Sequence, residues 1–358
     1  MPISSKEALK RIGERLQADS SLYIPSPLTQ PRRACVALIL RWHSKRPDLI
    51  PQATSAAYPP KTIQEFFELP WVKEDDQGHA ELLFMQRATR SGDRWSGHVA
   101  YIGGKNEAGE TDLDTVTREV QEESGLDLAS DAFLQLGRLD DREVISTYNK
   151  QLMMILIPFV FLQVVPCTPP MDLEKDEVAS VAWIPLDFFL SPIPNERVCY
   201  AEESLTPRVL QGWRRKLLRP LLGGVSFPAI DLPIDKHPDM TISLGGDNTS
   251  SHRRFRLWGL TLAMTRDLIQ LTGQADLPFV ALVAGTPRYS RQDIGMWIKC
   301  IALVSLWTRS SSSLSKSQQQ AQWEKAYYGS LRPGLVMAMV ARVVVLAMGV
   351  SWLRRRFH

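Results

Sequence analysis

The stretch GKNEAGETDLDTVTREVQEESGL, Gly104 to Leu126, decides how this chain is read. Its second half predicts a helix from Asp112 to Ser124, stopped by Gly125. On that helix Glu119, Glu122 and Glu123 stand at i, i+3 and i+4, so three carboxylates share one face. Such a cluster repels itself. Binding to a hard cation such as Mg²⁺ or Mn²⁺, which also takes phosphate oxygens, removes the penalty. Arg118 is four residues before Glu122 and adjacent to Glu119, where it orients a carboxylate and partly neutralises it. Val116 and Val120 form the opposite, buried edge. Gly103 and Gly104 allow close backbone approach and leave a carbonyl free to ligate metal. A solvated acidic face is the ordinary explanation for three glutamates on a helix. Here glycine turn, arginine and aliphatic positions fall in one register, G-x5-E-x7-R-E-U-x-E-E-x-G-U with U aliphatic, which favours chemistry.

Outward from this stretch the chain alternates strand-like and helix-like runs. ACVALILRW (34–42), ELLFMQRA (81–88) and GHVAYIGG (97–104) precede it, and LGRLD, LMMILIPFVFLQVV and VASVAWIPL follow. Their spacing predicts an α/β layered fold. Near the N-terminus Leu9, Ile12 and Leu16 recur at helical spacing without the apolar core of a secretory signal, which reads as a short surface helix. Leu257, Leu260, Met264, Leu268 and Leu271 mark a later helix. The Pro-rich residues 43–79 and the looser 191–250 read as insertions, and the Ser/Gln tract 308–322 as a flexible linker. The expected plan is a lead-in over 1–30, a main domain over 31–272, a linker or accessory segment over 273–333, and an apolar helix over 334–353.

The fixed positions Gly104, Glu110, Arg118, Glu119, Val120, Glu122, Glu123, Gly125 and Leu126 resemble the signature of the Nudix hydrolases. The resemblance implies an α/β/α sandwich around a mixed β-sheet, here with a C-terminal helical extension. It also implies hydrolysis of a diphosphate bond in a small nucleoside-diphosphate-linked substrate. The Gly104 carbonyl and the carboxylates of Glu119, Glu122 and Glu123 would hold Mg²⁺ or Mn²⁺. Glu110 and Arg118 would complete the catalytic set. Beyond the signature, LLFMQRA, Arg94, Gly97, the glycine pair, EVASVAWIPL (177–186) and RLWGLTLAMTRDLI (256–269) are similar to coenzyme A pyrophosphatases. That similarity covers roughly residues 30–272. Two departures stand out: Tyr101-Ile102 replaces the subfamily's Phe-Pro, and the spacing from Arg87-Ala88 to Gly97 is one residue longer. The substrate implied first is coenzyme A or an acyl-coenzyme A, then ADP-ribose or a nucleotide sugar; the other class is a catalytically silent ligand-binding module.

Several further residues are candidates. Arg87, Arg90 and Arg94 suit substrate phosphates as well as they suit loop solvation, and Gly103 lies against the diphosphate in this reading. Glu177 sits where some family members keep an extra acid, but reads as a solvated loop acid. Trp183 and Trp258 read as core residues, and His98 lies beside the glycine loop. Across 358 residues, 42 Lys and Arg against 39 acids leave a net charge of +3, too small an excess to point to nucleic acid. Four scattered cysteines suit reduced thiols in an intracellular compartment. Gly334–Leu353 is long enough to span a bilayer and is followed by Arg354, Arg355 and Arg356, with Arg342 as the one charge inside it. It is read as a membrane attachment, with packing on the domain or on another subunit as the alternative.

Overall fold

The computed structural model describes residues 3–50, 59–90, 95–145, 151–204, 216, 221–234, 241–243, 255–274, 279, 288–308, 322–323 and 326–356. In chain order its elements begin α1 (Ser5–Ala18), β1 (Arg33–His43), α2 (Ile63–Glu68), α3 (Pro70–Lys73), β2 (His79–Arg87), β3 (Val99–Ala100), β4 (Ile102–Lys105) and α4 (Asp112–Ser124). There follow β5 (Phe133–Arg138), β6 (Arg142–Ile145), β7 (Leu152–Gln163), β8 (Val178–Pro185), α5 (Asp187–Leu190), β9 (Val198–Ser204), β10 (Gly224–Asp231) and β11 (Thr241–Ser243). Last come β12 (Arg256–Trp258), α6 (Gly259–Gln270), β13 (Arg288–Tyr289), α7 (Gln292–Trp307) and α8 (Leu331–Arg356). The chain divides into two units, Met1–Cys199 with Pro228–Gly285, and Tyr200–Phe227 with Thr286–His358.

In the first unit the main sheet runs β11-β8-β2-β1-β7-β5, with β3 added to β2, β4 to β1 and β6 to β7. β1 and β7 are parallel, while the other pairs are antiparallel, so the sheet is mixed as expected. Period-two alternation sends Leu38, Leu40 and Trp42 of β1 to one face and Cys35, Ala37 and Ile39 to the other. Leu9 and Ile12 of α1, Phe66 of α2, and Leu262 and Leu268 of α6 cover the first face. Val116 and Val120 of α4 cover the second. This is an α/β/α sandwich.

One feature of the ladder places the site. β1 and β2 pair directly only where Leu40–His43 face His79–Leu82. Farther along they separate; β3 continues on β2, and β4 continues on β1 through Ala34–Ala37 facing Ile102–Lys105. The run 97–104, expected as one strand ending in glycines, is therefore taken up by two short strands, β3 and β4, wedged into a split in the sheet.

α4 begins at a capping box in which the Thr111 hydroxyl accepts from the Asp114 N–H and the Asp114 carboxylate accepts from the Thr111 N–H. Its first turn is tied to β1: Arg33 donates to both Asp112 oxygens at 2.8 and 2.9 Å and also reaches Asp141. Burial alone would raise Asp112, but hydrogen bonds from Arg33 and Asn106 hold its carboxyl below the usual range. At the other end Gly125 adopts φ +74°, and a Cβ there would lie 2.9 Å from the Asp172 nitrogen. Gly125→Ala is therefore expected to cost about 1–2 kcal/mol. Urea unfolding would show this as a lower midpoint with unchanged slope; an unchanged midpoint would contradict the αL requirement.

α1 docks on the domain as expected, burying Ala8, Leu9 and Ile12 in the core. Other expectations change. Residues 43–79, expected as a mostly irregular insertion, carry the short helices α2 and α3, which bury Phe66 and Trp71. Residues 200–227, expected within an insertion of the first domain, group with the second unit. There Val225–Ser226 pairs with Arg288–Tyr289, and α7 packs on α8 through Ile294, Ile298, Ala302 and Ala338. The tract expected as a linker lies almost wholly outside the described residues, as does Arg94.

Candidate active site

The glycine pair is the floor of the site. Gly103 has φ +145°, and a Cβ on it would stand 2.1 Å from the Cys35 carbonyl oxygen, so only glycine lets β4 lie this close to β1. Its N–H donates to Glu123 Oε2 at 3.0 Å. A Cβ on Gly104 would stand 2.3 Å from the carboxyl carbon of Glu119, which means that carboxylate rests directly on the Gly104 backbone. Helix spacing thus brings Glu119 and Glu123, one turn apart, onto successive glycines. Val116 and Val120 pin the opposite face of α4 in the core and fix this orientation.

Arg118 organises the outer part. Its guanidinium donates to Glu110 Oε1 at 2.6 Å and Oε2 at 3.0 Å, to Glu119 Oε1 at 3.0 Å, to Glu122 Oε2 at 2.9 Å and to the Lys105 carbonyl at 3.2 Å. Glu110 also accepts from the Glu107 N–H and the Thr115 hydroxyl, so it anchors the loop before α4. The bond from Arg118 holds the Glu110 carboxyl down at about 2. The same contacts raise the Arg118 guanidinium above its ordinary value.

The inner carboxylates behave oppositely. Glu123 is 3% exposed, and burial, reinforced by the charges of Glu119 and Glu177, pushes its carboxyl up to about 8. Burial likewise raises Glu119. Glu122 is the outlying member: its side chain is 61% exposed and turned toward Arg118. Among the described residues no three acid, imidazole or thiol groups surround a common ion position as they stand, since Arg118 draws Glu119 and Glu122 to itself.

Glu177 is a turn residue whose side chain is 41% exposed, as expected of a loop acid, but it also has partners. Its carboxylate lies against Glu123 and pairs with Arg90 at 3.2 Å, while its carbonyl accepts from the Ala88 N–H. The signal was its position at the start of a strand; the register of β8 on β2 supplied the rest, because Arg87 faces Val178. Arg87 ends β2 with its N–H donating to the His98 carbonyl. His98 in turn meets Trp258 edge-on at 4.9 Å. Trp258 is half-buried where a core position was expected, whereas Trp183 is buried under the Arg41 guanidinium, 4.2 Å from its ring centroid.

The helix that bears the glutamates and the double-glycine strand it closes onto both lie within the stretch that a family model matches. The NUDIX domain family model matches residues 71–200. An uncharacterized protein of Schizosaccharomyces pombe is 30% identical over 225 residues, which make up 60% of this chain and 60% of that protein. The chain therefore matches it over less than two thirds of its length. Among solved structures, the MutT/nudix family protein from Enterococcus faecalis is similar at 15% identity, covering 90% of this chain and 93% of that one, with a TM-score of 0.32. The MutT NUDIX hydrolase from Burkholderia pseudomallei is similar at 18% identity over 47% and 92% of the two chains, with a TM-score of 0.25.

Proposed function

We infer that this chain hydrolyses a diphosphate bond in a small nucleoside-diphosphate-linked substrate with the help of a divalent cation. The observation that carries the reading is the descent of Glu119 and Glu123 onto the Gly103–Gly104 backbone, beside Glu177. Burial and the neighbouring carboxylates hold Glu119 and Glu123 above their ordinary range even though Arg118 pairs with Glu119 and Arg90 with Glu177. Oxygen donors in such surroundings fit Mg²⁺ or Mn²⁺. The residues that would hold the ion are Glu119, Glu122, Glu123 and the Gly104 carbonyl. A bound ion would supply Lewis acidity and offset charge on the diphosphate.

The chain's own groups have separable tasks. The Gly103 N–H fixes one Glu123 oxygen, Oε2. Arg118 positions Glu119 and Glu122, and Glu110 in turn anchors Arg118. Arg90, which pairs with Glu177, would meet substrate phosphate as a guanidinium fork. Arg87 and Arg94 are proposed for the same duty.

Coenzyme A or an acyl-coenzyme A is the first substrate proposed, supported by the resemblance of segments 81–88, 177–186 and 256–269 to that subfamily. ADP-ribose or a nucleotide sugar is the second reading; the Tyr101-Ile102 replacement departs from the coenzyme A subfamily, with Tyr101 buried, bonded to Thr265 at 2.7 Å and stacked on Phe84. Four free cysteines support a reducing, intracellular setting. The test is a panel of coenzyme A, acyl-coenzyme A, ADP-ribose and dinucleotides with Mg²⁺ or Mn²⁺, following product release. Glu122→Gln, at an exposed position, is expected to leave the fold intact and lower turnover by roughly 10²–10³-fold. Absence of turnover with every substrate and both ions would leave the silent binding module as the surviving reading.

A further inference from the structure

We propose that α8 inserts into a phospholipid bilayer as a short span, with the Arg342–Asp293 pair at the near head groups and Arg354–Arg356 reaching the far ones. Among the described residues, α8 is the one helix long and apolar enough to cross a membrane. Its two halves differ. From Leu331 to Arg342 it packs antiparallel on α7, closely enough that a Cβ on Gly334 would stand 2.4 Å from Ile298 Cγ1, and Ala338 is fully buried. From Val343 to Arg356 every residue is exposed.

Arg342 marks the boundary between the halves. Its Nε and Nη2 donate to the two Asp293 oxygens, each at 2.7 Å, and its Nη1 donates to the Leu221 carbonyl. The charge that argues against a full twenty-residue span is therefore paired with Asp293 and bonded to a backbone carbonyl, that of Leu221. The hydrocarbon-facing segment is then Val343–Leu353, not the whole of Gly334–Leu353.

That segment has no polar side. Successive residues turn by about 100°, so Val343, Val344, Val345, Leu346, Met348 and Trp352 point in all directions, exposed by 50–69%. A single partner helix, including a second copy of this chain, covers one face of such a rod and leaves the rest in water. A bilayer covers all of it. The arginines that follow, Arg354–Arg356, complement lipid phosphate, and Trp352 just before them suits the interface.

The length makes the idea specific. From Arg342 to Arg354 the helix rises about 18 Å, and arginine side chains extend this by roughly 6 Å at the far end. The sum falls a few ångströms short of a hydrocarbon core of about 27–30 Å. A span that is too short favours thin bilayers.

The experiment uses the full chain, reconstituted with phosphatidylcholine vesicles of short, medium or long acyl chains, floated through a density gradient after a high-salt wash. Flotation is expected to survive the wash and to fall about tenfold from short-chain to long-chain lipid. Val345→Asp with Leu346→Asp changes only exposed side chains, so the fold should persist by circular dichroism while flotation drops to background. Quenching of Trp352 by brominated lipid, absent in Trp352→Phe, would place the residue in the membrane. Flotation that salt removes, or that ignores chain length, or that survives the double substitution, would overturn the proposal. So would a full chain that stays in solution as a discrete oligomer through α8.

Discussion

Glu123→Gln is expected to lower diphosphatase turnover by about 10³-fold while raising the melting temperature of the metal-free protein. The substitution keeps the shape and leaves an oxygen to accept the Gly103 N–H, which now bonds Glu123 Oε2 at 3.0 Å. What it removes is a negative charge that burial disfavours and that Glu119 and Glu177 oppose. The sign follows from the direction of the shift. The folded chain holds the Glu123 proton up to about 8, against the ordinary 4.5, so the folded state binds more protons than the unfolded one between these limits. Stability associated with this group is complete below the lower limit and is lost as pH rises through the upper. At about 1.4 kcal/mol for each tenfold change in proton affinity, the loss reaches a few kcal/mol. Melting curves in chelator from pH 5 to 9 should diverge, wild type falling and the variant staying flatter. Added Mg²⁺ should restore the wild type only. A variant that keeps turnover within tenfold of wild type, or melts no higher than it at pH 8, would remove Glu123 from the proposed role.

Gly103→Ala and Gly104→Ala should fail for different reasons although the residues are adjacent. At Gly103 the φ of +145° is hostile to any side chain, and the new methyl would meet backbone, the Cys35 oxygen, at 2.1 Å. Strain plus overpacking costs about 3–5 kcal/mol, or a melting temperature lower by roughly 10 °C or more in a domain this size. At Gly104 the obstruction is the end of the flexible Glu119 side chain. That carboxylate can swing away, so stability should change by less than about 1 kcal/mol while turnover falls by about 10²-fold or more. Thermal melts and steady-state rates on the two variants separate the cases. Equal destabilisation would mean that Glu119 does not rest on the glycine as the structure has it.

Much of the fold was legible because its signals are local. Period-two alternation in β1, the aliphatic stripe Val116–Val120 and the stop at Gly125 each follow from a few consecutive residues, and each appears where the spacing puts it. The carboxylate face of α4 is likewise a property of one helical turn. Other features depend on partners far away in sequence. The burial of α1 depends on the facing sheet, the help of α2 and α3 on the same core, and the half-burial of Trp258 on His98. The apolar tail could be recognised from composition, but the pairing of Arg342 with Asp293, 49 positions earlier, could not.

By itself the sequence determined that three glutamates share a helix face behind two glycines in an α/β chain, since helical pitch and glycine's freedom at φ require only neighbours. Only the tertiary structure decided which of those acids are charged comfortably. Whether a carboxylate keeps its proton depends on burial and on charges brought close by the sheet register, as with Glu123 beside Glu177, and no local pattern encodes that distance.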